Sequence, residues 1–399
     1  MRSVVVKLML LTAGLSMVDS AWADGPGATP VMAEIGADPL VNFQAAEPTA
    51  TRFAEFAWAD AEYLLWWMKP VCQKKPLLHF GHASDMGPVP RAILGDSKYE
   101  MPPASGVRAT VGLWAPNAAN LGWEASGFWL GRVQNTHAFV SPDGSPASII
   151  PFTNENNAAQ ALLFTIPGQV GGRITATGSS ELWGADTNVL WRFAAAEGDW
   201  SRRVSLLAGF RYVSLRDRID IQQTQFLVID PLAFGIGGCQ FATDNEFYGA
   251  QVGARFEMER GRWGLEATGK FAPGEMHMIS DVSGNPLIAG TQVLPGSVPG
   301  PLLVLPSNVG QVDRWALAFA QEFNLKLRCR LTQNVLATLG YNLLYLNRIA
   351  CPGDQQPQFV NISQLPQFAP FRGKLEPTPI LVHTDYFAQG LSAGLEIRY

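Results

Sequence analysis

From Asp60 to the last residue the chain repeatedly alternates apolar and polar positions with a period of two. The clearest stretch runs from Phe247 to Phe271. Tyr248, Ala250, Val252, Ala254, Phe256 and Met258 fall on one side, opposite Gly249, Gln251, Gly253, Arg255 and Glu257. After a tight turn, Glu259 to Arg262, the alternation resumes. Trp263, Leu265, Ala267, Gly269 and Phe271 then oppose Arg262, Gly264, Glu266, Thr268 and Lys270. Successive side chains of a strand point to opposite faces, so this period predicts strands and excludes a helix.

The same pattern predicts ten strands, at about 60–68, 106–115, 120–131, 181–193, 202–217, 244–259, 262–275, 312–329, 333–347 and 384–399. Most exceed the roughly five or six residues of a sandwich strand and reach the roughly 9–11 that cross a bilayer at a tilt. Connections alternate in length. Ala115 to Asn120, Ala194 to Asp199, Glu259 to Arg262 and Arg330 to Gln333 are short; 69–105, 132–180, 218–243, 276–311 and 348–383 are long. The prediction is an all-β fold: a single up-and-down antiparallel transmembrane β-barrel of about ten strands, with short periplasmic turns and long extracellular loops. Thr136 to Ser141 and Arg173 to Gly178 leave two possibilities open. They form a hairpin above the membrane, or two further staves that make twelve strands.

Composition fits a barrel. Charged residues are 16% of the 399, below the roughly 25% of an average soluble domain. Past the N-terminus no run of about 18 apolar residues predicts a membrane helix. The net charge of −5 does not indicate a nucleic-acid binder. Arg2 and Lys7, the apolar stretch Leu8 to Val18 and the sequence Ala21-Trp22-Ala23 read as a signal peptide over 1–23. Residues 24–58 read as a flexible N-terminal arm and 59–399 as the barrel. Four cysteines accompany export. Cys72, Cys239 and Cys351 fall in predicted loops, where one disulfide would be compatible with an oxidising compartment, the pairing being open.

The polar faces supply the candidate lumen lining: Arg108, Glu124, Asp186, Arg192, Arg211, Arg255, Glu257, Glu266, Lys270, Glu322, Lys326 and Arg328. Glu62, Glu396 and Arg398 join them. The two signs nearly balance, which predicts an internal ion-pair network more than a selective ring. Trp191, Phe193 and Trp263 near the short turns, and Trp129, Tyr212, Tyr248, Phe271, Trp315, Tyr345 and Phe387 near the long loops, predict two aromatic girdles at the lipid boundaries. Leu391, Ala393, Leu395, Ile397 and the terminal Tyr399 form an alternating final strand that looks like a C-terminal assembly signal.

Longer motifs carry a family resemblance. Ala61 to Lys69, Leu182 to Arg192, Leu206 to Leu215, Phe247 to Glu257, Leu305 to Gly310, Pro352 to Gln355 and Thr384 to Tyr399 resemble the beta-barrel porin-7 family of planctomycete outer-membrane barrels. The resemblance covers essentially 60–399. It implies an outer-membrane barrel and brings no substrate or catalytic residues.

Ten strands would enclose a narrow lumen at best, since eight leave a filled interior and sixteen a wide channel. The first expectation is therefore a porin-like or structural outer-membrane barrel, with at most a narrow channel for small solutes. The second is surface binding or adhesion by long loops on a closed barrel. An enzyme at the rim is the weakest reading, since it would rest on His383 and Asp385 and a serine from elsewhere. His79 and His82, or the stretch Glu275 to Met278, are weak metal motifs. No cofactor fingerprint appears. Expected partners are outer-membrane lipid, the barrel assembly machinery and periplasmic chaperones, with no nucleic acid.

Overall fold

The structure, a computed structural model, describes residues 56–81, 92–99, 101–196, 200–230, 234–289, 302–357, 359–364 and 370–399. The expected signal peptide, and the expected arm up to residue 55, lie outside these residues. Among the described residues fourteen strands form: β1 (Ala57–Met68), β2 (Val71–Phe80), β3 (Ala92–Tyr99), β4 (Ala104–Ala115), β5 (Ala118–Ser141), β6 (Ser148–Thr153), β7 (Ala159–Thr165), β8 (Val170–Ala196), β9 (Ser201–Leu227), β10 (Phe234–Arg260), β11 (Trp263–Ala289), β12 (Gly310–Arg330), β13 (Val335–Ala350) and β14 (His383–Arg398).

Ten of them close a barrel in the order β1-β14-β13-β12-β11-β10-β9-β8-β5-β4, and β4 returns to β1. Every neighbouring pair is antiparallel. The predicted ten staves are these ten. Closure leaves no open edge within the barrel. Gly261, at φ +59°, makes the tight turn between β10 and β11 that a residue with a Cβ would strain.

Strand length is where the sequence reading falls short. β8, β9, β10 and β11 each run 27 residues and β5 runs 24, while β1 and β4 run only 12. Much of the expected loop sequence at 218–243 and 276–289 is strand. Thr136 to Ser141 and Arg173 to Gly178 are not extra staves. They prolong β5 and β8 and pair with each other, His137 opposite Ala176.

The reason is an inversion of polarity along one strand. In the lower part of β9, Leu206, Phe210 and Tyr212 point out of the barrel, while Ser205 and Arg211 are buried inside. Above Tyr212 the alternation keeps its phase but changes sign. Val213, Leu215, Ile219 and Ile221 are buried inside, and Arg216, Arg218 and Asp220 point out. β10 repeats the change, with Phe247, Phe241 and Cys239 inside and Glu246 and Asp244 outside. The lower part has an apolar outer face, which suits lipid, and polar groups within. The upper part has solvent outside and therefore an apolar core within.

What fills that core is a second sheet, of order β3-β2-β6-β7, supplied by the expected loops 69–105 and 132–180. Val71, Leu77, Leu78, Leu94, Ile150 and Phe164 of this sheet pack on Ile174, Ile219, Ile221, Phe241 and Val282 of the tall wall. Leu302, Leu305 and Val360 complete the cluster. The tall side of the barrel thus serves as one layer of a two-layer module, raised beyond the level of Tyr212 and Tyr248.

Candidate functional site

The barrel interior is the candidate site. Below the polarity change it holds an ion-pair lattice. Asp60, Glu62, Glu124, Asp186, Glu257, Glu259, Glu266, Glu322 and Glu396 are paired with Arg108, Arg203, Arg211, Arg255, Lys270, Lys326, Arg328, Arg330 and Arg398, nine against nine among the described residues. Each of the twelve candidate lining residues points inward. Arg255 clasps Glu124 with both terminal nitrogens, at 2.8 Å and 2.8 Å. Asp186 accepts from Lys270 at 2.9 Å and from Arg211 at 3.2 Å. Arg211 and Arg108 meet at Glu322, the latter at 3.1 Å. Arg328 spans Glu257 at 2.8 Å and Glu396 at 3.1 Å and also touches Glu266. Lys326 joins Asp60 and, at 3.3 Å, Glu62. Arg192 lies 4.0 Å from the Trp114 ring. Pairing of this kind is what allows charges to stay out of bulk water.

Small residues make room for it. A Cβ on Gly209 would overlap the Thr187 carbonyl and crowd Asn188, an inward partner of Asp186 and Gln251. A cavity of ≈ 50 Å³ lies among Glu62, Arg108, Glu124, Asp186, Lys270 and Lys326, and one of ≈ 30 Å³ lies nearer the turns, between Trp58, Trp114 and Arg192. With about 10–15 Å³ of such volume needed per water, each holds a few waters.

Above the lattice the interior turns apolar. Leu64, Trp66, Leu130, Leu182, Val213, Leu215, Phe247, Met276, Met278, Leu344 and Tyr386 are each at most 2% exposed. Trp66 stacks on Phe128 at 5.6 Å, with the Arg108 guanidinium 5.6 Å from the Trp66 ring, so the lattice meets the apolar layer through a cation–π contact. Gly390 lets Trp66 lie there, since a Cβ at that position would overlap it.

The segment after β13 then folds inward over this layer. Cys351, Pro352, Gly353, Gln355 and Gln356 are buried, around a short 3-10 turn at Pro352–Asp354. Asn245 of β10 fastens its start. The Asn245 Nδ2 donates to the Ala350 carbonyl at 2.9 Å, and the Ala350 N–H donates to Asn245 Oδ1 at 2.6 Å. Gln355 fastens its end in the same way at Val382, at 2.8 Å and 3.0 Å. Sequence reading missed this layer and its cover, because inward apolar residues have the same period as outward ones.

On the outer wall Trp129, Trp191, Phe193, Trp263, Phe271, Trp315 and Phe387 expose their rings, and Tyr212, Tyr248 and Tyr345 are half-buried there. Trp183, Tyr212, Tyr248 and Trp315 form a continuous row, with neighbouring ring centroids 4.9 Å, 5.0 Å and 6.0 Å apart. Leu391, Leu395 and Tyr399 are exposed on the same wall at the end of the chain.

Other motifs come apart. Glu275 and His277 point outward while Met276 and Met278 are buried inside, so that stretch cannot converge on one ion. His277 stacks on Trp315 at 4.4 Å and stands between Glu246 and Asp313. His79 lies in β2, and His82 is outside the described residues. His383 and Asp385 are exposed on the outer wall of β14. Cys72 and Cys239 belong to strands, not loops, and Cys239 is a buried free thiol.

Comparison with known proteins bears on the whole barrel. The profile of the beta barrel porin-7 (BBP7) family matches residues 58–399. The chain belongs to this family. Among curated proteins none matches it. Solved structures similar to this porin-7 chain include the outer membrane protease OmpT from Escherichia coli, at 9% identity and TM-score 0.43, covering 88% of this chain and 99% of that one. The toluene transporter TodX from P. putida, at 6% identity and TM-score 0.21, covers 86% and 90%. An anion-selective porin from Comamonas acidovorans, at 9% identity and TM-score 0.13, covers 86% and 98%. Likeness at this level transfers none of those activities to the porin-7 chain.

Proposed function

We propose that this porin-7 barrel sits in the outer membrane as a closed anchor, and that its work is surface binding by the module it lifts above the lipid. The observation that carries the reading is the apolar layer across the interior, from Trp66 and Leu130 through Val213 and Phe247 to Leu344. An ion crossing it would give up its water among closely packed apolar side chains, a cost far above that of an aqueous pore. The neutral lattice beneath supports the same reading, since it offers no continuous path for one sign of charge.

In this reading the aromatic rows seat the barrel at the two lipid boundaries. The final strand, ending at Tyr399, is presented to the assembly machinery after passage with periplasmic chaperones. The module offers the outer surface of β5 and β8–β11 and the loops between them to partners outside the cell.

Single-channel recording in planar bilayers tests the proposal. Folded full-length protein is expected to insert and give no stable conductance steps. Steady ohmic steps from the intact chain would overturn it and restore diffusion of small solutes through the lumen.

A further inference from the structure

Above Tyr212 the inward series of β9 reads Val213, Leu215, Asp217, Ile219, Ile221. One carboxylate therefore interrupts an apolar stripe, at the junction of the two apolar clusters. It is 3% exposed. The register sets Ser180 of β8 and Thr243 of β10 directly beside it, each 1% exposed. Tyr386 of β14, 2% exposed, reaches in from the opposite, shorter wall, and Ser180 adjoins both it and Asp217. Ser180 Oγ stands within reach of both Asp217 and the Tyr386 hydroxyl, but none of these oxygens, nor Thr243 Oγ1, has a hydrogen bond of good geometry.

A buried polar oxygen without a well-formed hydrogen bond is rare, and four in one place on four strands require a common cause. The lattice below supplies a contrast. Each of its carboxylates has a cation within ion-pair distance, whereas Asp217 has none among the described residues. Lys69 and Asp244 act on it at longer range with opposite signs. The Lys69 ammonium is held at the Asp385 carbonyl, and Asp244 lies on the outer face beside Arg216.

We propose that Asp217, Ser180, Thr243 and Tyr386 form an internal site for one alkali-metal cation. The donors are all oxygens, which suits hard cations and not the softer transition metals. One carboxylate balances one positive charge. A divalent ion would leave net charge in an apolar surround, where it is costly. The bound ion ties β8, β9 and β10 of the tall wall to β14 of the short wall, at the base of the raised module.

The test uses the full chain folded in detergent, unfolded by heat at constant ionic strength in sodium, potassium, calcium or N-methylglucamine chloride. Sodium or potassium is expected to raise the midpoint in a saturable way over N-methylglucamine, as a ligand of the folded state does. Asp217→Asn is expected to remove that dependence. Crystals soaked in thallous acetate should show an anomalous peak at Asp217, a readout that does not depend on the variant folding. Stability indifferent to cation identity, or cation dependence unchanged in Asp217→Asn, would overturn the site. So would a thallium map with no peak there, which would leave water or a proton as what satisfies these oxygens.

Discussion

The pair Glu124–Arg255 allows the interior lattice to be weighed. Glu124 is 1% exposed, and both its oxygens accept from Arg255 at 2.8 Å. Arg255 has a second carboxylate, Glu266, at 3.7 Å. Arg255→Met keeps most of the side-chain bulk and leaves Glu124 buried without its clasp. Breaking a buried pair from one side costs about 3–5 kcal/mol. Glu124→Gln is expected to be milder, about 1–3 kcal/mol, because Arg255 keeps Glu266 and a carboxamide oxygen can still accept. The double variant removes both charges and should recover most of the loss, giving a coupling on the order of 2–3 kcal/mol. Urea unfolding of the barrel in lipid vesicles, followed by tryptophan fluorescence, measures all four corners of the cycle. Arg255→Met costing under about 1 kcal/mol, the range of exposed pairs, would refute the reasoning. Strictly additive effects would refute it equally, since the two groups would then be held by other partners.

Two further outcomes follow from position on β10. Val252 and Gln240 both point outward, but Val252 lies in the lipid-facing part and Gln240 beside Asp220 in the upper part, at 2.6 Å. Val252→Arg should cost about 2–4 kcal/mol of folding free energy in bilayers, and Gln240→Arg should be near neutral; equal costs would contradict the polarity change. Asn245→Ala removes both bonds to Ala350, so hydrogen exchange over residues 350–357 should accelerate while β9 and β10 keep their protection.

The ten staves, their facing and the short turns were legible in the sequence, because lipid outside and polar groups inside write a strong period of two. The same rule hid the upper structure. Val213, Leu215 and Ile219 keep the period, but reading apolar as outward stops the strand near Asp217, although it continues to Leu227. The second sheet was missed for another reason. Its strands are six to ten residues long and lie inside stretches rich in proline and glycine, such as Ser148–Thr153. In the lattice the sequence supplied most of the members, though not Asp60, Arg203, Glu259 or Arg330, and the balance of signs. It could not supply the partners, since Glu124 and Arg255 stand 131 positions apart.

The seam of the barrel has a consequence for how the molecule is made. Trp58 is paired with Arg398, and Phe56 donates its N–H to the Tyr399 carbonyl at 2.5 Å. The first stave therefore waits for the last. Until β14 is in place, β1 can hold β4 but has nothing on its other flank, and the ring stays open along a full row of backbone groups. A chain lacking β14 would lose its seam as a whole, not by degrees, and would carry two unpaired edges, on β1 and β13. Pairing of β14 with β1 and sealing of the wall are thus one event, which makes that strand a checkpoint for every stave before it.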